Sequence, residues 1–268
     1  MLKSLTQLFR PSAPMPPPPS APDGERWYVI GDIHGRNDLF AALVEAIEAD
    51  DAAAGPARTT VVLLGDLVDR GPDSAGVIAM ARDWQERRKV RLLAGNHEEM
   101  FLESFTDTEV LRHFLRHGGT ETVLSYGLDR ATYNTLDLAE LQTTLARIVP
   151  PADLAFLRAA EDWIEVGDYL LVHAGIRPLV PLAEQKRSDL LWIRERFLRH
   201  EDAFSHVVIH GHTIFDSVDD AGNRIGIDTG AYRTGRLTAL VLEGSARRTI
   251  QAVECDGAIS IEGTGITI

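Results

Sequence analysis

The stretch "RLLAGNHEEM" (Arg91–Met100) begins as a short buried strand and then presents a glycine, an amide, an imidazole and a carboxylate in four successive residues. Apolar runs that stop in this way recur along the chain. "WYVIGDIHGR" (Trp27–Arg36) closes in Gly31-Asp32-Ile33-His34-Gly35, and "VVLLGDLVDRG" (Val61–Gly71) in Gly65-Asp66 followed by Asp69-Arg70-Gly71. "YLLVHAG" (Tyr169–Gly175) ends in His173, and "HVVIHGHT" (His206–Thr213) in His210 and His212. One Gly-Asp pair at a strand end reads as a turn or a helix cap. Five such ends read as one site, because open α/β sheets place ligands beyond the carboxyl ends of their strands.

Helical stretches separate the runs, the pattern of an α/β protein. "NDLFAALVEAIEAD" (Asn37–Asp50) carries Leu39, Phe40, Leu43, Val44 and Ile47 on one face, with Asn37 or Asp38 as N-cap. "DSAGVIAMARDWQERR" (Asp73–Arg88) reads as a second helix. From Glu98 to Asp162 the strand signal vanishes, which predicts a helical insertion over 98–162 divided at Gly118-Gly119 and Pro150-Pro151. "RIGIDTGAYRTGRLTALVLEG" and "RRTIQAVECD" alternate like antiparallel strands with turns at Gly235 and Gly244. The first half is thus expected to be parallel and helix-linked, and the last part antiparallel.

Composition narrows the functions. The 268 residues are 44% hydrophobic and 25% charged, a globular balance that allows one large domain or two small ones. No window approaches the roughly 20 apolar residues that span a membrane, so no membrane partner is expected. A net charge of -13 argues against wrapping nucleic acid, yet permits an anionic substrate wherever a bound metal inverts the local field. The single cysteine, Cys255, excludes an intramolecular disulfide and fits a reducing cytoplasm. Residues 1–24, with "RPSAPMPPPPSAPDG" (Arg10–Gly24), read as a disordered Pro-rich tail with polyproline II character, ahead of a body over 25–268. An amphipathic anchor or a docking arm is the sharper reading of that tail; a secretory signal would need a longer apolar region.

The strand tips collect Asp32, His34, Asp66, Asn96, His173 and His212. These oxygen and imidazole donors, with no sulfur, suit manganese, iron, zinc or related ions. Six ligands are too many for one catalytic ion that must keep open positions. They suit two ions sharing a carboxylate, about 3.5–4 Å apart in two-metal hydrolytic sites.

Gly31-Asp32-x-His34-Gly35, Gly65-Asp66-x-Val68-Asp69-Arg70-Gly71 and Gly95-Asn96-His97-Glu98 resemble the three signature motifs of the phosphoprotein phosphatase family, within the calcineurin-like metallophosphoesterases. His173-Ala174-Gly175 and Gly211-His212-Thr213 resemble its two histidine motifs, and the overall pattern is most similar to the bacterial and bacteriophage-lambda type. The resemblance covers residues 27 to about 243. It implies a β-sandwich flanked by helices (α/β/β/α) and two divalent ions, manganese first, with iron, zinc, nickel or cobalt as substitutes. Asp32 and His34 would bind the first ion, Asp66 would bridge, and Asn96, His173 and His212 would bind the second. His97 would be the general acid, oriented by Asp69, and Arg70 would hold phosphate oxygens. "LLWIRERF" (Leu190–Phe197) is similar to a Trp-x-Arg-x-Arg stretch of the phage enzyme, which gives the second phosphate-binding role to Arg194, with Arg196 as the competing choice. A hydroxide between the ions would attack phosphorus in line.

The implied substrate is a phosphorylated protein or peptide, or a small phosphoester. Diadenosine tetraphosphate hydrolases are close relatives, but there an alanine is expected in place of Asp69 and Gly-Asn-His-Asp in place of Gly-Asn-His-Glu. Phosphodiesterases usually present Gly-His-x-His, whereas Ile214 follows Thr213 here. A regulatory domain without catalysis should have lost a ligand or His97, and none is lost. Outside the motifs, His113, His117, His200 and His206 read as surface or core residues, and His210 either as a support for the ligands or as structural. Glu98 and Glu99 read as helix N-terminal acids, Trp163 and Trp192 as packing residues. "HGGTET" (His117–Thr122) reads as a substrate-side lining or a helix stop, and Asp228–Gly230 as close to the metals or a plain turn.

Overall fold

The computed structural model describes residues 17–266. Its first half is β1 (Glu25–Ile30), α1 (Asn37–Ala53), β2 (Arg58–Leu63), α2 (Ser74–Arg87) and β3 (Val90–Leu92), with the three strands parallel. The chain then runs through α3 (Asn96–Glu103), α4 (Thr108–Phe114), a π-helical turn (Leu115–Gly119), α5 (Thr120–Ser125), α6 (Arg130–Tyr133), α7 (Leu138–Ile148) and α8 (Pro151–Arg158). Strands resume with β4 (Trp163–Val166) and β5 (Tyr169–Val172), and α9 (Arg187–Trp192) and α10 (Glu195–Leu198) lead to β6 (Val207–His210). Last come β7 (Asp219–Asp220), β8 (Arg224–Gly226), α11 (Ala231–Thr234), β9 (Arg236–Glu243), β10 (Ala246–Cys255) and β11 (Ala258–Ile266). They form a six-stranded sheet in the order β11-β10-β9-β1-β2-β3 and a five-stranded sheet in the order β4-β5-β6-β8-β7.

Strand alternation sorts the side chains into three apolar layers. Trp27 and Val29 of β1, Val62 of β2, and Leu240 and Leu242 of β9 meet Tyr169 and Leu171 of β5 and Ile209 of β6 between the sheets. Tyr28, Ile30, Val61 and Leu63 face the other way, onto Phe40 and Leu43 of α1, Trp84 of α2 and the insertion helices. Leu170, Val172 and Val208 form the third layer with Leu190, Ile193 and Phe197. The result is an α/β/β/α sandwich. Each large side chain buried this way contributes about 1.5–3 kcal/mol. No helix among the described residues is long and apolar enough to cross a membrane.

Four details depart from the sequence expectations. Helix α1 buries the expected face but starts at Asn37, with Arg36 at the cap position and no side-chain cap bond. Asn37 donates instead to Asp73 Oδ2 at 2.8 Å. Arg224–Gly226 pairs parallel to β6 rather than joining the antiparallel meander, because three residues are too few for alternation to name a partner. Trp163–Val166 is a strand that the helical reading before it obscured. The proline-rich tail lies outside the described residues up to position 16, but Pro19–Ala21 is docked on the body. Tyr169 OH donates to Pro19 O at 3.0 Å, Ser20 N–H to Asp168 Oδ2 at 2.9 Å, and buried Ala21 donates its N–H to Gly244 O at 2.9 Å.

Candidate metal centre

The candidate ligands stand at the carboxyl ends of strands: Asp32 and His34 after β1, Asp66 after β2, Asn96 after β3, His173 after β5 and His212 after β6. The loops there are laced together. Ile33 N–H and His34 N–H both donate to Asp66 O, at 3.1 and 2.8 Å, and Gly35 N–H donates to Leu67 O at 2.8 Å. Glu98 contributes more than a helix N-terminal acid. Its buried carboxylate accepts the N–H groups of Asp66 and Leu67 at 2.7 Å each, of Gly95 at 3.2 Å and of Val68 at 3.3 Å. The signal for this was its place in the Asn96-bearing tip.

Seven non-glycine residues among those described have positive φ, and five are at this site: His34 (46°), Asp66 (51°), Asp69 (75°), Arg70 (70°) and His212 (61°). Such conformations cost about 1–3 kcal/mol each and persist where the surroundings over-determine them. Close approach explains Gly95 and Gly211. A Cβ at Gly211 would lie 2.1 Å from Asp32 Oδ1, and one at Gly95 2.3 Å from Asp66 Oδ1.

Asp66 is the hub. Its Oδ2 lies 3.5 Å from His34 Nε2 and 3.9 Å from His97 Nε2, and its Oδ1 lies 3.4 Å from His173 Nε2. Burial opposes its charge, but His173, His97, His34 and His212 outweigh burial and hold Asp66 well below the usual carboxylate range. His34 Nδ1–H donates to Val68 O at 2.7 Å and His173 Nδ1–H to Leu64 O at 2.8 Å, so each Nε2 faces the centre with a lone pair. Burial foremost keeps both rings neutral, His34 down at about 3. Asn96 Oδ1 lies 3.0 Å from His173 Nε2 and 2.8 Å from His212 Nδ1. Lone pairs of His173, Asn96 and Asp66 therefore point at one another, an arrangement that a cation between them relieves. The buried groups His34–Asp66–His97 and Asp66–His173–His212 each converge within 4.8 Å around the shared Asp66, and Asp32 is in neither group. This donor set fits divalent metal ions.

Asp32 lies in the same buried ring, but its carboxylate accepts His212 N–H at 3.0 and 3.2 Å. Burial, then Asp228 and Asp66, raise Asp32, and burial lifts Asp228 to about 6. Asp228 is thus part of the centre and more than a turn residue. Arg70 spans the two imidazoles, with Nη1 donating to His34 Nε2 at 2.6 Å and Nη2 to His97 Nε2 at 2.8 Å. It stacks on Tyr232, 4.8 Å from the ring centroid, a contact that the sequence did not reveal. His97 Nδ1 lies 2.5 Å from Asp69 Oδ2. Burial would lower His97, but the carboxylates of Asp66 and Asp69 outweigh it and raise the ring's proton affinity.

Burial foremost lowers His212, to about 2, and the Arg194 guanidinium adds to that shift and to the one on His173. Arg196 lines a separate surface cleft with Pro178, Leu179 and Glu195. Trp192 corrects the packing expectation. It is 39% exposed, its ring is 6.3 Å from His212, and Nε1 donates to Glu99 Oε2 at 3.2 Å. Trp163 packs on the outer layer. His210 sits between Phe197 and Phe215, with ring centroids at 5.0 and 6.1 Å. His113 and His117 are exposed, with rings 4.1 Å apart.

The family model for calcineurin-like phosphoesterases matches residues 26–235. Serine/threonine-protein phosphatase 1 of Salmonella typhimurium is 30% identical over 222 residues, 79% of this chain and 89% of that protein. The asymmetrical bis(5'-nucleosyl)-tetraphosphatase PrpE of Anoxybacillus flavithermus is 25% identical over 230 residues, 79% of this chain and 88% of that protein. A cold-active protein tyrosine phosphatase of known structure shares the fold at a TM-score of 0.54 and 21% identity, over 90% of this chain and 81% of that one. With its strand-end motifs gathered around buried groups able to hold metal ions, the chain belongs to the calcineurin-like phosphoesterase family.

Proposed function

We propose that this protein is a metal-dependent phosphomonoesterase acting on phosphoserine and phosphothreonine in proteins or peptides. Asp32 and His34 would hold one ion, Asn96, His173 and His212 a second, and Asp66 would bridge them. Manganese is the first choice, with iron, zinc, nickel or cobalt suited by the same donors. Bound there, the ions supply Lewis acidity and make water a competent nucleophile near neutral pH. The guanidinium forks of Arg70 and Arg194 orient the phosphate oxygens. Arg70 donation to His97 Nε2 and protonation of that nitrogen exclude each other, so an Arg70 turned to substrate leaves His97 free to carry a proton. His97 then gives that proton to the departing oxygen, while Asp69 keeps Nδ1–H aligned.

The buried Asp69–His97 contact of 2.5 Å carries this reading. A serine or threonine alkoxide is a poor leaving group and needs a proton from an acid held in line. A phosphoanhydride departs as a phosphate and does not. The competing reading, cleavage of a diadenosine polyphosphate, is favoured by the PrpE relative and by the exposed indole of Trp192, on which a base could stack. Manganese-dependent phosphate release from a phosphoserine peptide, compared with cleavage of diadenosine tetraphosphate, separates the two, with Asp66→Asn as the blank. Faster release from the peptide is expected; faster cleavage of the dinucleotide would overturn the assignment.

A further inference from the structure

Thr122 belongs to the helical insertion and to none of the ligand motifs, yet it holds the carboxylate behind His97. Its hydroxyl donates to Asp69 Oδ1 at 2.6 Å and accepts Asp69 N–H at 2.9 Å. Ser74 Oγ accepts the same N–H at 3.0 Å and lies 2.9 Å from Thr122 Oγ1. Since Thr122 gives its one proton to Asp69, the Ser74 hydroxyl donates to Thr122. Protons thus run in one direction, from Ser74 to Thr122 to Asp69, whose other oxygen, Oδ2, faces His97 Nδ1. Thr122, Asp69 and Ser74 are all 0% exposed. Nearby, Gly118 (φ 106°) accepts Arg70 N–H at 3.1 Å, and a Cβ there would lie 2.7 Å from Arg70 Cγ. The insertion therefore grips the two residues, Asp69 and Arg70, that stand in left-handed backbone.

We infer that Thr122 is a positioning residue for proton transfer: by fixing the Asp69 carboxylate it sets the direction in which His97 Nε2 meets the leaving oxygen. The inference rests on the general-acid reading of His97. As the phosphorus–oxygen bond breaks, the leaving oxygen takes the Nε2 proton, the ring becomes neutral and Asp69 stays a carboxylate. Without the Thr122 hydroxyl, Asp69 Oδ1 loses its side-chain donor, so the carboxylate can turn about its own bond and release the ring. Outer partners that orient a reacting group are typically worth 10–100-fold.

The test uses the full manganese-loaded protein and two substrates, phenyl phosphate, whose leaving group needs a proton, and 2,4-dinitrophenyl phosphate, whose leaving group does not. Thr122→Val should lower kcat on phenyl phosphate by about 10–100-fold and change kcat on the dinitrophenyl ester little. Thr122→Ser should restore turnover of phenyl phosphate. Thr122→Ala carries the same expectation should the valine variant fold poorly. In the diamagnetic zinc-loaded protein, the downfield proton resonance of His97 Nδ1–H, identified by its absence in His97→Ala, should move or broaden in Thr122→Val and return in Thr122→Ser. Equal losses on both esters, or no loss on either, would overturn the inference and leave Thr122 a packing residue. If His97→Ala treats the two esters alike, the general-acid reading itself fails, and the inference with it.

Discussion

The first sheet brings Asp32, Asp66 and Asn96 to the centre on loops that hold one another, whereas the second sheet brings His173 and His212 at strand ends that lean on the first. Glu98 and the Ile33 and His34 amides fix the Asp66 loop from within the first sheet's own tips. His173 is oriented by Leu64 O, and the His212 backbone by the Asp32 carboxylate, both atoms of the opposite sheet. Asp66 is thus anchored by its own half of the sandwich, while His173 and the His212 backbone are aligned across the gap. Ligand distances then depend on how the apolar layer between the sheets is filled.

The largest expected effect comes from the hub between the two halves. Asp66→Asn should keep the fold but lower turnover of an aryl phosphate by about 10³-fold or more, since several kcal/mol of charge stabilisation is lost. Metal content by mass spectrometry should fall with it; full content with full activity would remove Asp66 from the bridging position. Next comes the apolar layer. Leu171→Ala, between the sheets, and Leu170→Ala, in the outer layer, should each cost about 2–5 kcal/mol in urea unfolding. The inter-sheet variant should also weaken metal binding, and equal affinity in the two variants would break the claim that this layer sets ligand spacing.

A smaller effect is expected within the first sheet's tips. Glu98→Gln replaces an acceptor of four N–H groups with an amide that brings its own donors, at about 2–3 kcal/mol, measured by thermal unfolding of the metal-free protein. A loss as small as that of an exposed glutamate would mean that the loops do not need Glu98. The smallest effect lies far from both tips. Asp50 accepts two bonds from Arg248 and one from Tyr28. Burial opposes its charge, but these partners outweigh it and depress its pKa. Its contribution, about 1 kcal/mol, is therefore present above the unfolded-state value near about 4 and fades as pH falls through the lower folded value. The stability difference between the wild type and Asp50→Asn should shrink on acidification, with phosphatase activity at pH 7 unchanged.

Periodicity and residue type made much of the site legible. Asp32, His34, Asp66, Asn96, His97, His173 and His212 stand at strand ends within two residues of a glycine, and a strand end is a local event that the sequence records. The α1 face and the helical character of the insertion were legible for the same reason. The partners of Thr122 and Tyr232 were not. Thr122 stands 53 residues from Asp69, and Tyr232 lies on a short helix with no motif of its own. Nothing near either residue in sequence marks its partner.

The sequence by itself determined which residue types stand at the strand ends: oxygen and imidazole donors, with an arginine among them. It also determined which faces of the strands are apolar, because side-chain direction follows a period of two residues wherever a strand forms. Only the tertiary structure decided that β8 would run parallel to β6 and that the insertion would hold Asp69 and Arg70. These depend on contacts between distant segments, made when buried donors and acceptors must all find partners inside one apolar sandwich.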